Sequence, residues 1–430
     1  MLSRRRPLTA ACLALALLGA ACGGGDDDAD EGASGGQESN GSVEGGEIDV
    51  WIMEPGAPEL KDFFTGATDD FEATNPGTTV NVIFKPWASA HDQFTTAIGG
   101  GNVPDVAEMG STWTPEFASV GALADAGGSL SGYVDSLVDG ATFDGDAYGI
   151  PWYAGARSLI YRADMFSELG LTPPKTWDEL LTVGRTIRDK LGIAAFSVAG
   201  NANHYFLPMV WQNGGEIATE KDGRWQSAMD SPAAIEAIDF YANLFKKEKF
   251  APDGAIAWNA RDVRAAFEAG NLAMMIGGGW DVAAMVGAHP ELDGKIATAL
   301  LPAGPSGSQD TFAGGSHLVV FEDSDHVPLA RKYVDFLLEP ERVNAFTAKI
   351  GFLPGGLDAL EGTGGDERSA VFTAQLKDHS RTYPPSVKWG GFEADALFVN
   401  AVQSVMKGDK TAAVAMTEVA EAMDTAFAEE

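Results

Sequence analysis

The stretch EIDVWIMEPGAPELKDFFTGATDDFEATNPGTTVNVIFK, residues 47–85, determines the fold. Residues 47–53 are typical of a β-strand, and residues 79–84 form a second strand-like run with β-branched side chains. Between them, apolar residues recur at helical spacing over 60–74, and the breaker sequence at 75–77 ends that helix. The stretch therefore predicts a strand–helix–strand unit.

The same alternation continues along the chain. A second helix is expected near 91–98 and a third strand near 105–108, which gives β-α-β-α-β order. That order implies a parallel sheet covered by helices and places the protein in the α/β class. Further on, Thr176 to Glu179 has the pattern of a capping box, and Ser231-Pro232 is typical of a helix start.

The first 22 residues have the pattern of an export signal. Arg4-Arg5-Arg6 precedes the apolar run LTAACLALALLGAA and then Cys22. The arrangement resembles a bacterial lipobox, in which the signal (1–21) is removed and the cysteine is joined to diacylglycerol. Gly19 departs from the pattern, which usually has a larger aliphatic residue there. An ordinary signal peptide with a chance cysteine is the alternative.

The segment after the signal is predicted to be a tether. Residues 22–46 are acidic and rich in Gly and Ser, a composition that favours disorder. Cys22 would be the one cysteine left after processing, so an intramolecular disulfide is excluded and lipidation is the simplest role for the thiol. The protein is therefore expected outside the cell, anchored by lipid to the outer face of the cytoplasmic membrane.

Composition narrows the function. The 430-residue chain has a net charge of −33, so a phosphate backbone would repel it and nucleic-acid binding is disfavoured. Its length suggests two domains. Its six histidines form no recognisable metal motif, and no P-loop lysine motif is present. We expect no catalytic residues, no metal and no cofactor.

A series of motifs resembles the extracellular solute-binding proteins of carbohydrate ABC importers. The resemblance covers nearly all of the chain from residue 47, and no single motif decides it. Its motifs, in the family's order, are FEATNPGTTVNV (71–82), AIGGGNVPDV (97–106), STWTPEFASVGALADA (111–126), YGIPWYAGARSLIYRADMFSELGL (148–171), PPKTWDEL (173–180), FEAGNLAMMIGGGWD (267–281), LPAGPSGS (301–308), FAGGSHLVV (312–320) and GFLPGG (351–356).

The resemblance implies two α/β lobes, each with a mostly parallel sheet, joined by a hinge that the chain crosses several times. Lobe 1 would comprise 47–161 and 296–338, lobe 2 would comprise 162–295 and 339–430, and the first crossing would fall near 159–161. It also implies a monomer that binds a sugar, most simply an oligosaccharide, between the lobes, closes on it, and delivers it to a membrane permease.

Aromatic residues in predicted loops indicate the sugar site. Flat rings cover the C–H face of a pyranose, and polar side chains bond its hydroxyls. The candidate ligand-binding residues are Glu54, Trp87, Trp113, Trp152, Tyr153, Arg157, Asn201, Asn203, Trp280, Asp281, Gly315, Ser316, Phe352 and Trp389.

Other interpretations of individual residues remain open at the sequence level. Trp51 and Trp177 are assigned to the core, and Trp211 is divided between core and cleft. Trp280 could pack inside lobe 2, and Arg157 could be an ion-pair partner at the hinge.

Two other functions also remain open. The same fold could bind a polyamine, a peptide or a metal complex, since aromatic boxes also hold cations. A secreted glycoside hydrolase is the alternative from the enzyme class, because a catalytic carboxylate pair cannot be recognised by counting acids.

Overall fold

The computed structural model describes residues 45–54, 58–363, 365 and 367–430. The predicted signal, Cys22 and nearly all of the predicted tether lie outside the described residues and stay predictions. All described residues belong to one compact unit.

Strands and helices alternate along the described chain. The strands are β1 (Glu47–Met53), β2 (Thr79–Lys85), β3 (Val106–Gly110), β4 (Thr142–Phe143), β5 (Asp146–Ala147), β6 (Ile150–Ala156), β7 (Ser158–Arg162), β8 (Ala194–Phe196), β9 (Ala218–Lys221), β10 (Arg224–Ser227), β11 (Leu272–Gly277), β12 (Ile296–Ala299), β13 (Thr311–Val320), β14 (Leu353–Pro354) and β15 (Ser380–Arg381).

The α-helices are α1 (Pro58–Thr74), α2 (Trp87–Gly100), α3 (Thr114–Ser119), α4 (Asp135–Ala141), α5 (Ala163–Leu169), α6 (Trp177–Leu191), α7 (Asn203–Gln212), α8 (Pro232–Lys246), α9 (Ala260–Glu268), α10 (Gly279–Ala288), α11 (Val327–Leu337), α12 (Pro340–Ile350), α13 (Leu357–Glu361), α14 (Glu367–Asp378), α15 (Trp389–Ala394), α16 (Leu397–Lys407) and α17 (Ala412–Phe427). Short 3₁₀ turns occur at Asp253–Ala257 and Pro290–Leu292.

The β-α-β-α-β prediction is confirmed. β1 pairs in parallel with both β2 and β3, with Glu47 opposite Thr79 and Val50 opposite Val106. These strands belong to a seven-stranded sheet of order β14-β6-β13-β3-β1-β2, with β15 added to β13. This sheet forms the centre of lobe 1.

A second sheet, of order β12-β7-β11-β8, forms the centre of lobe 2. The expectation of mostly parallel sheets is wrong for this lobe, where β7 runs antiparallel to both of its neighbours. Lobe 1 is also mixed, because β13 returns antiparallel to β3 and β6. β7 carries the chain into lobe 2 and β12 is the last strand before the chain returns along β13, and these neighbours run in opposite directions.

The lobe boundaries differ from the predicted ones. β7 already belongs to lobe 2, so the first crossing is at Arg157, just before the expected 159–161. β12 lies in lobe 2 although residues 296–299 were expected in lobe 1, and β14 lies in lobe 1 although 339–430 was expected in lobe 2. Hydrophobic patterning identifies a buried strand but does not say which sheet it joins.

Two apolar clusters pack on the two faces of the lobe 1 sheet, and a third fills lobe 2 and extends to Ala156 and Phe312 of lobe 1. Ile48, Val50 and Ile52 of β1 point to one face of the lobe 1 sheet and pack against helices α1, α11 and α12. The other face packs against α2 and α3, through residues such as Phe94 and Phe117. The core of lobe 2 includes α6, α7, α8 and the C-terminal helices.

Two predicted helix starts are confirmed by their capping bonds. The backbone N–H of Glu179 donates to Thr176 Oγ1 at 3.2 Å, and that of Ala234 donates to Ser231 Oγ at 3.3 Å. The Glu179 carboxylate accepts from the backbone N–H of Lys175, one residue before the position a capping box predicts. Such bonds satisfy backbone donors that the first turn leaves free.

Candidate functional site

The carboxyl ends of the parallel strands of lobe 1 bring Trp87 and Trp113 together. Trp87 begins α2 after β2, and Trp113 directly precedes α3 after β3. Their ring centroids lie 5.6 Å apart at 61°, and Trp87 is 43% exposed. Glu54 follows β1 and forms a surface ion pair with Lys61 at 3.0 Å. This edge is where open α/β sheets bind ligands.

His91 and Glu116 lie beside the two tryptophans, and the sequence did not indicate either residue. His91 Nε2 is 2.9 Å from Glu116 Oε2, and the imidazole lies edge-on to Trp113 with centroids 5.4 Å apart. The hydrogen bond to the Glu116 carboxylate raises the pKa of His91, and partial burial opposes that rise. In the sequence, His91 follows Trp87 by four residues and Glu116 follows Trp113 by three, which is about one helical turn in each case. Such a spacing is too common to indicate a site.

Glu393 joins the two lobes at this point. Its carboxylate accepts from Thr112 Oγ1 of lobe 1 and from Asn203 Nδ2 of lobe 2, both at 3.4 Å. Burial raises the pKa of Glu393. A Cβ atom at Gly390 would lie 2.8 Å from Glu116 Oε2, so α15 of lobe 2 lies directly against lobe 1 here. Two long hydrogen bonds hold the Glu393 carboxylate between the lobes, and a ligand hydroxyl could replace either donor.

Trp280 forms another interlobe contact. Its indole stacks on Phe352 of lobe 1, with centroids 4.5 Å apart at 19°. A Cβ atom at Gly155 of β6 would lie 2.0 Å from Trp280 Cζ3, so only glycine lets the ring take this position. Trp280 is half-buried between the lobes rather than enclosed in the core of lobe 2. The structure therefore does not place Trp280 in the core of lobe 2, which was the alternative interpretation of this residue.

Arg157 occupies the first hinge crossing, beside Trp280. Its guanidinium lies 5.2 Å from the centre of the indole ring. In the part of the chain that the structure describes, no carboxylate lies within 4.0 Å of it, so the predicted alternative of an ion pair is not observed. Burial, and then the charge of Arg157, lower the pKa of the nearby His204 well below its usual value. A half-buried cation without an ion pair is suited to bonding ligand oxygens.

The neighbouring strands β6 and β13 of lobe 1 carry three further predicted residues. These are Tyr153 on β6, and Gly315 and Ser316 on β13. The hydroxyls of Tyr153 and Ser316 both donate to Glu108 Oε1, at 2.5 and 2.7 Å. Gly315 is bonded through its backbone to Ser111, at 3.0 and 3.3 Å. Ser316 is fully buried, and we leave it out of the proposed set of ligand contacts. Tyr153 supports Phe352, which its ring meets edge-on with centroids 5.1 Å apart.

The structure places two of the predicted tryptophans inside the cores. Trp152 lies in β6 rather than in a loop, is 1% exposed, and stacks on Phe346 at 4.7 Å and 4°. Trp389 is equally buried and stacks on Tyr383 at 4.5 Å. Both were predicted from an expected loop context, and both instead belong to regular elements. We exclude them from the proposed site.

Two predicted polar residues also have structural roles. Asp281 is 4% exposed, accepts from the backbone N–H of Gly278 at 3.1 Å, and lies 3.5 Å from Arg264. It therefore caps its own helix, and burial raises its pKa. Asn201 is exposed, and its backbone N–H donates to the carbonyl of Trp258 at 3.0 Å. Asn203 is the predicted amide that reaches the interlobe contact.

Two sizeable cavities border both lobes. One of about 500 Å³ is lined by Gly155, Trp280 and Phe352 and by residues of α10, α12 and α14. The other, of about 1110 Å³, is lined by α4, by Trp211 and Trp225, and by residues 380–388. No predicted ligand-binding residue lines the larger one. Trp211, which the sequence divided between core and cleft, is itself 3% exposed.

The described residues contain no cluster of His, Cys, Asp and Glu that could hold a metal ion. Within the same residues, no helix combines the length and apolar character that a membrane crossing needs.

Comparisons with known proteins agree on one family. The sequence profile of the bacterial extracellular solute-binding proteins matches residues 57–343. The diacetylchitobiose-binding protein DasA of Streptomyces coelicolor is 27% identical over 402 residues, 91% of this chain and 92% of DasA. The arabinooligosaccharide-binding protein of Bacillus subtilis is 25% identical over 287 residues, which cover 64% of this chain and 65% of that protein. The solved sugar-binding protein MalE of Xanthomonas citri is 27% identical, with a TM-score of 0.78, over 89% of this chain and 98% of MalE.

Proposed function

We propose that this chain, which belongs to the family of bacterial extracellular solute-binding proteins, binds an oligosaccharide between its two lobes. It has a two-lobed α/β fold with a hinge crossed at Arg157 and again between β12 and β13. The observation that carries the proposal is the contact of Trp280 of lobe 2 with Phe352 and Gly155 of lobe 1. An aromatic platform between lobes is suited to the apolar face of a sugar ring.

The polar groups around the platform suit sugar hydroxyls. Arg157 offers N–H donors, and Glu393 and Glu116 offer carboxylate oxygens from opposite lobes. A ligand that bonds groups on both lobes favours the closed arrangement over the open one. Binding and closure would then be coupled.

Two aromatic centres favour an oligosaccharide over a single sugar. Trp280 and Phe352 form one, and Trp87 and Trp113 form the other at the strand ends of lobe 1. Each can stack on one pyranose ring. Relatives named for diacetylchitobiose and arabinooligosaccharides support this size class.

We further propose the cellular setting. The protein acts as a monomer outside the cell, lipid-anchored through Cys22, and passes its ligand to the permease of an ABC importer. It carries out no reaction on the ligand, because the members of its family are described as solute-binding proteins. The polyamine alternative is weakened by the cation of Arg157 in the same site, which has no ion pair among the described residues.

A thermal-shift screen tests the proposal. The panel should contain diacetylchitobiose, maltotriose, arabinotriose, glucose and spermidine. A ligand at 100 times its Kd stabilises the folded state by about 2.7 kcal/mol. We expect an oligosaccharide to stabilise the protein most and to remain intact on prolonged incubation. Stabilisation by spermidine alone, or the release of reducing ends, would contradict the proposal.

A further inference from the structure

We propose that Glu108 is a positioning residue for the carbohydrate site: through Tyr153 it fixes the surface of lobe 1 on which Trp280 rests. This inference rests on the proposed function for its ligand, but its geometry does not depend on one. Glu108 lies on β3, adjacent to the strand ends, and it touches neither Trp280 nor Phe352 in any described contact.

Glu108 is a buried carboxylate without a cation. It is 1% exposed, and among the described residues no Lys, Arg or His nitrogen lies within 4.0 Å of it. It accepts three hydrogen bonds: from Tyr153 Oη at 2.5 Å, from Ser316 Oγ at 2.7 Å, and from the backbone N–H of Met53 at 2.9 Å. Burying a carboxylate without a cation is costly even when it is hydrogen-bonded. Its presence is therefore better explained by what it positions than by stability.

Tyr153 carries the effect of Glu108 to the interlobe contact. Its hydroxyl is bound by Glu108, and its ring meets Phe352 edge-on with centroids 5.1 Å apart. Phe352 in turn stacks on Trp280. A hydrogen bond at one end of a tyrosine restricts the ring at the other end. Glu108 thus sets the orientation of Phe352, and Phe352 sets the position of the indole from the other lobe.

The protonation state of Glu108 provides a readout. The ionised carboxylate accepts from both hydroxyls, whereas a protonated one must use part of an oxygen's capacity to donate. Burial raises the pKa of Glu108 to about 7, and Tyr153 is the titratable group that faces it. Trp280 and its ligand should therefore respond to pH near neutrality through this residue.

The test is a double-mutant cycle with Glu108→Gln, Tyr153→Phe and the double variant. Ser316→Ala is the matched control, because it removes one hydroxyl bond to the same oxygen of Glu108 without touching Phe352. The probe is whichever of diacetylchitobiose, maltotriose and arabinotriose stabilises the protein most. We expect each single variant to weaken binding about 10-fold and the double variant to weaken it no further, while Ser316→Ala binds normally.

A measurement without ligand separates this inference from the proposed function. The protein is labelled with 5-fluorotryptophan, and the ¹⁹F resonance of Trp280 is assigned with Trp280→Phe. We expect that resonance to move in Glu108→Gln and Tyr153→Phe and to stay in Ser316→Ala. It should titrate near pH 7 in the wild type and in Ser316→Ala, but not in Glu108→Gln or Tyr153→Phe. A moving resonance without sugar binding would uphold the positioning role and reject the sugar ligand. An unmoved resonance, or equal effects in Ser316→Ala, would overturn the positioning role.

Discussion

Trp280 of lobe 2 stacks on Phe352 of lobe 1, with their ring centroids 4.5 Å apart and their planes 19° apart. The contact exists because Gly155 leaves room for the edge of the indole. It is one of the points at which the two lobes share an aromatic surface, the stacking of His204 on Phe312 being another, and the proposed sugar site is built around it.

The first prediction concerns Gly155. Its replacement by Ala puts a methyl group 2.0 Å from Trp280 Cζ3 and should displace the indole. Overpacking of this kind costs about 1–3 kcal/mol of folding stability. Because the indole is displaced from the site, we also expect weaker ligand binding in calorimetric titration. Gly99→Ala is the control, since a Cβ atom there meets nothing within 4 Å. Equal affinities in the two variants would show that the position of Trp280 is unimportant for binding.

The second prediction concerns Glu393. Glu393→Gln keeps the shape of the side chain but removes the charge that Thr112 and Asn203 face. Since hydrogen bonds to a charged group contribute about 1.5–3 kcal/mol, affinity should fall by roughly 10- to 100-fold. Glu418→Gln, on the exposed surface of α17, is the control. Unchanged affinity in Glu393→Gln would remove this carboxylate from the site.

The third prediction concerns the pH dependence of stability. In the folded protein Glu108 has a pKa of about 7 instead of its usual 4.5, so between these values the folded state holds a proton that the unfolded state has released. Stability from this group therefore falls as pH rises from 4.5 to 7. In denaturant melts, the unfolding free energy of Glu108→Gln relative to that of the wild type should rise by up to about 3 kcal/mol as the pH rises through this range.

A buried histidine gives stability the opposite pH dependence, because its contribution increases as the pH rises. His317 has a pKa lowered by burial to about 3, so its contribution is lost as pH falls below 6.5. Because His317 is present in both proteins, the difference between them isolates Glu108. A difference in unfolding free energy that stays constant from pH 4.5 to pH 8 would show that Glu108 has no raised pKa.

The fourth prediction concerns Cys22. If the signal is processed as a lipobox, the protein should fractionate with membranes, and Cys22→Ala should release it or block its maturation. Cys12→Ala is the control, because that residue lies in the part to be removed. A Cys22→Ala protein that is processed and membrane-bound as before would contradict the lipid anchor.

The sequence was informative where a local pattern has one structural outcome. Apolar spacing located β1, α1 and β2, the cap at Thr176 was identified from four residues, and the cap at Ser231 was identified from two. Lobe membership was not predictable for β12 and β14, because pairing is decided by partners far away in the chain. The same holds for strand direction in lobe 2.

Among the site residues, aromatic content was a partial guide. Trp87 lies against Trp113 at strand ends and Trp280 lies against Phe352 between the lobes, so these four stay candidates for the site. Trp152 and Trp389 satisfy the same composition rule inside the cores. Nothing local distinguishes a tryptophan after Pro151 in a buried strand from one in a loop. Glu108 and Glu393 were missed because a single carboxylate among 62 acidic residues carries no pattern.

The most direct test of the central claim compares two tryptophans by calorimetric titration with the best oligosaccharide of the panel. Trp280→Ala removes the ring shared by the lobes, and Trp225→Ala removes a similarly half-buried ring from the larger cavity. Loss of a stacking ring should weaken binding by roughly 1–3 kcal/mol, by analogy with bases on aromatic side chains. We expect that loss in Trp280→Ala and unchanged affinity in Trp225→Ala. Intact affinity in Trp280→Ala with lost affinity in Trp225→Ala would place the ligand in the larger cavity and contradict the account.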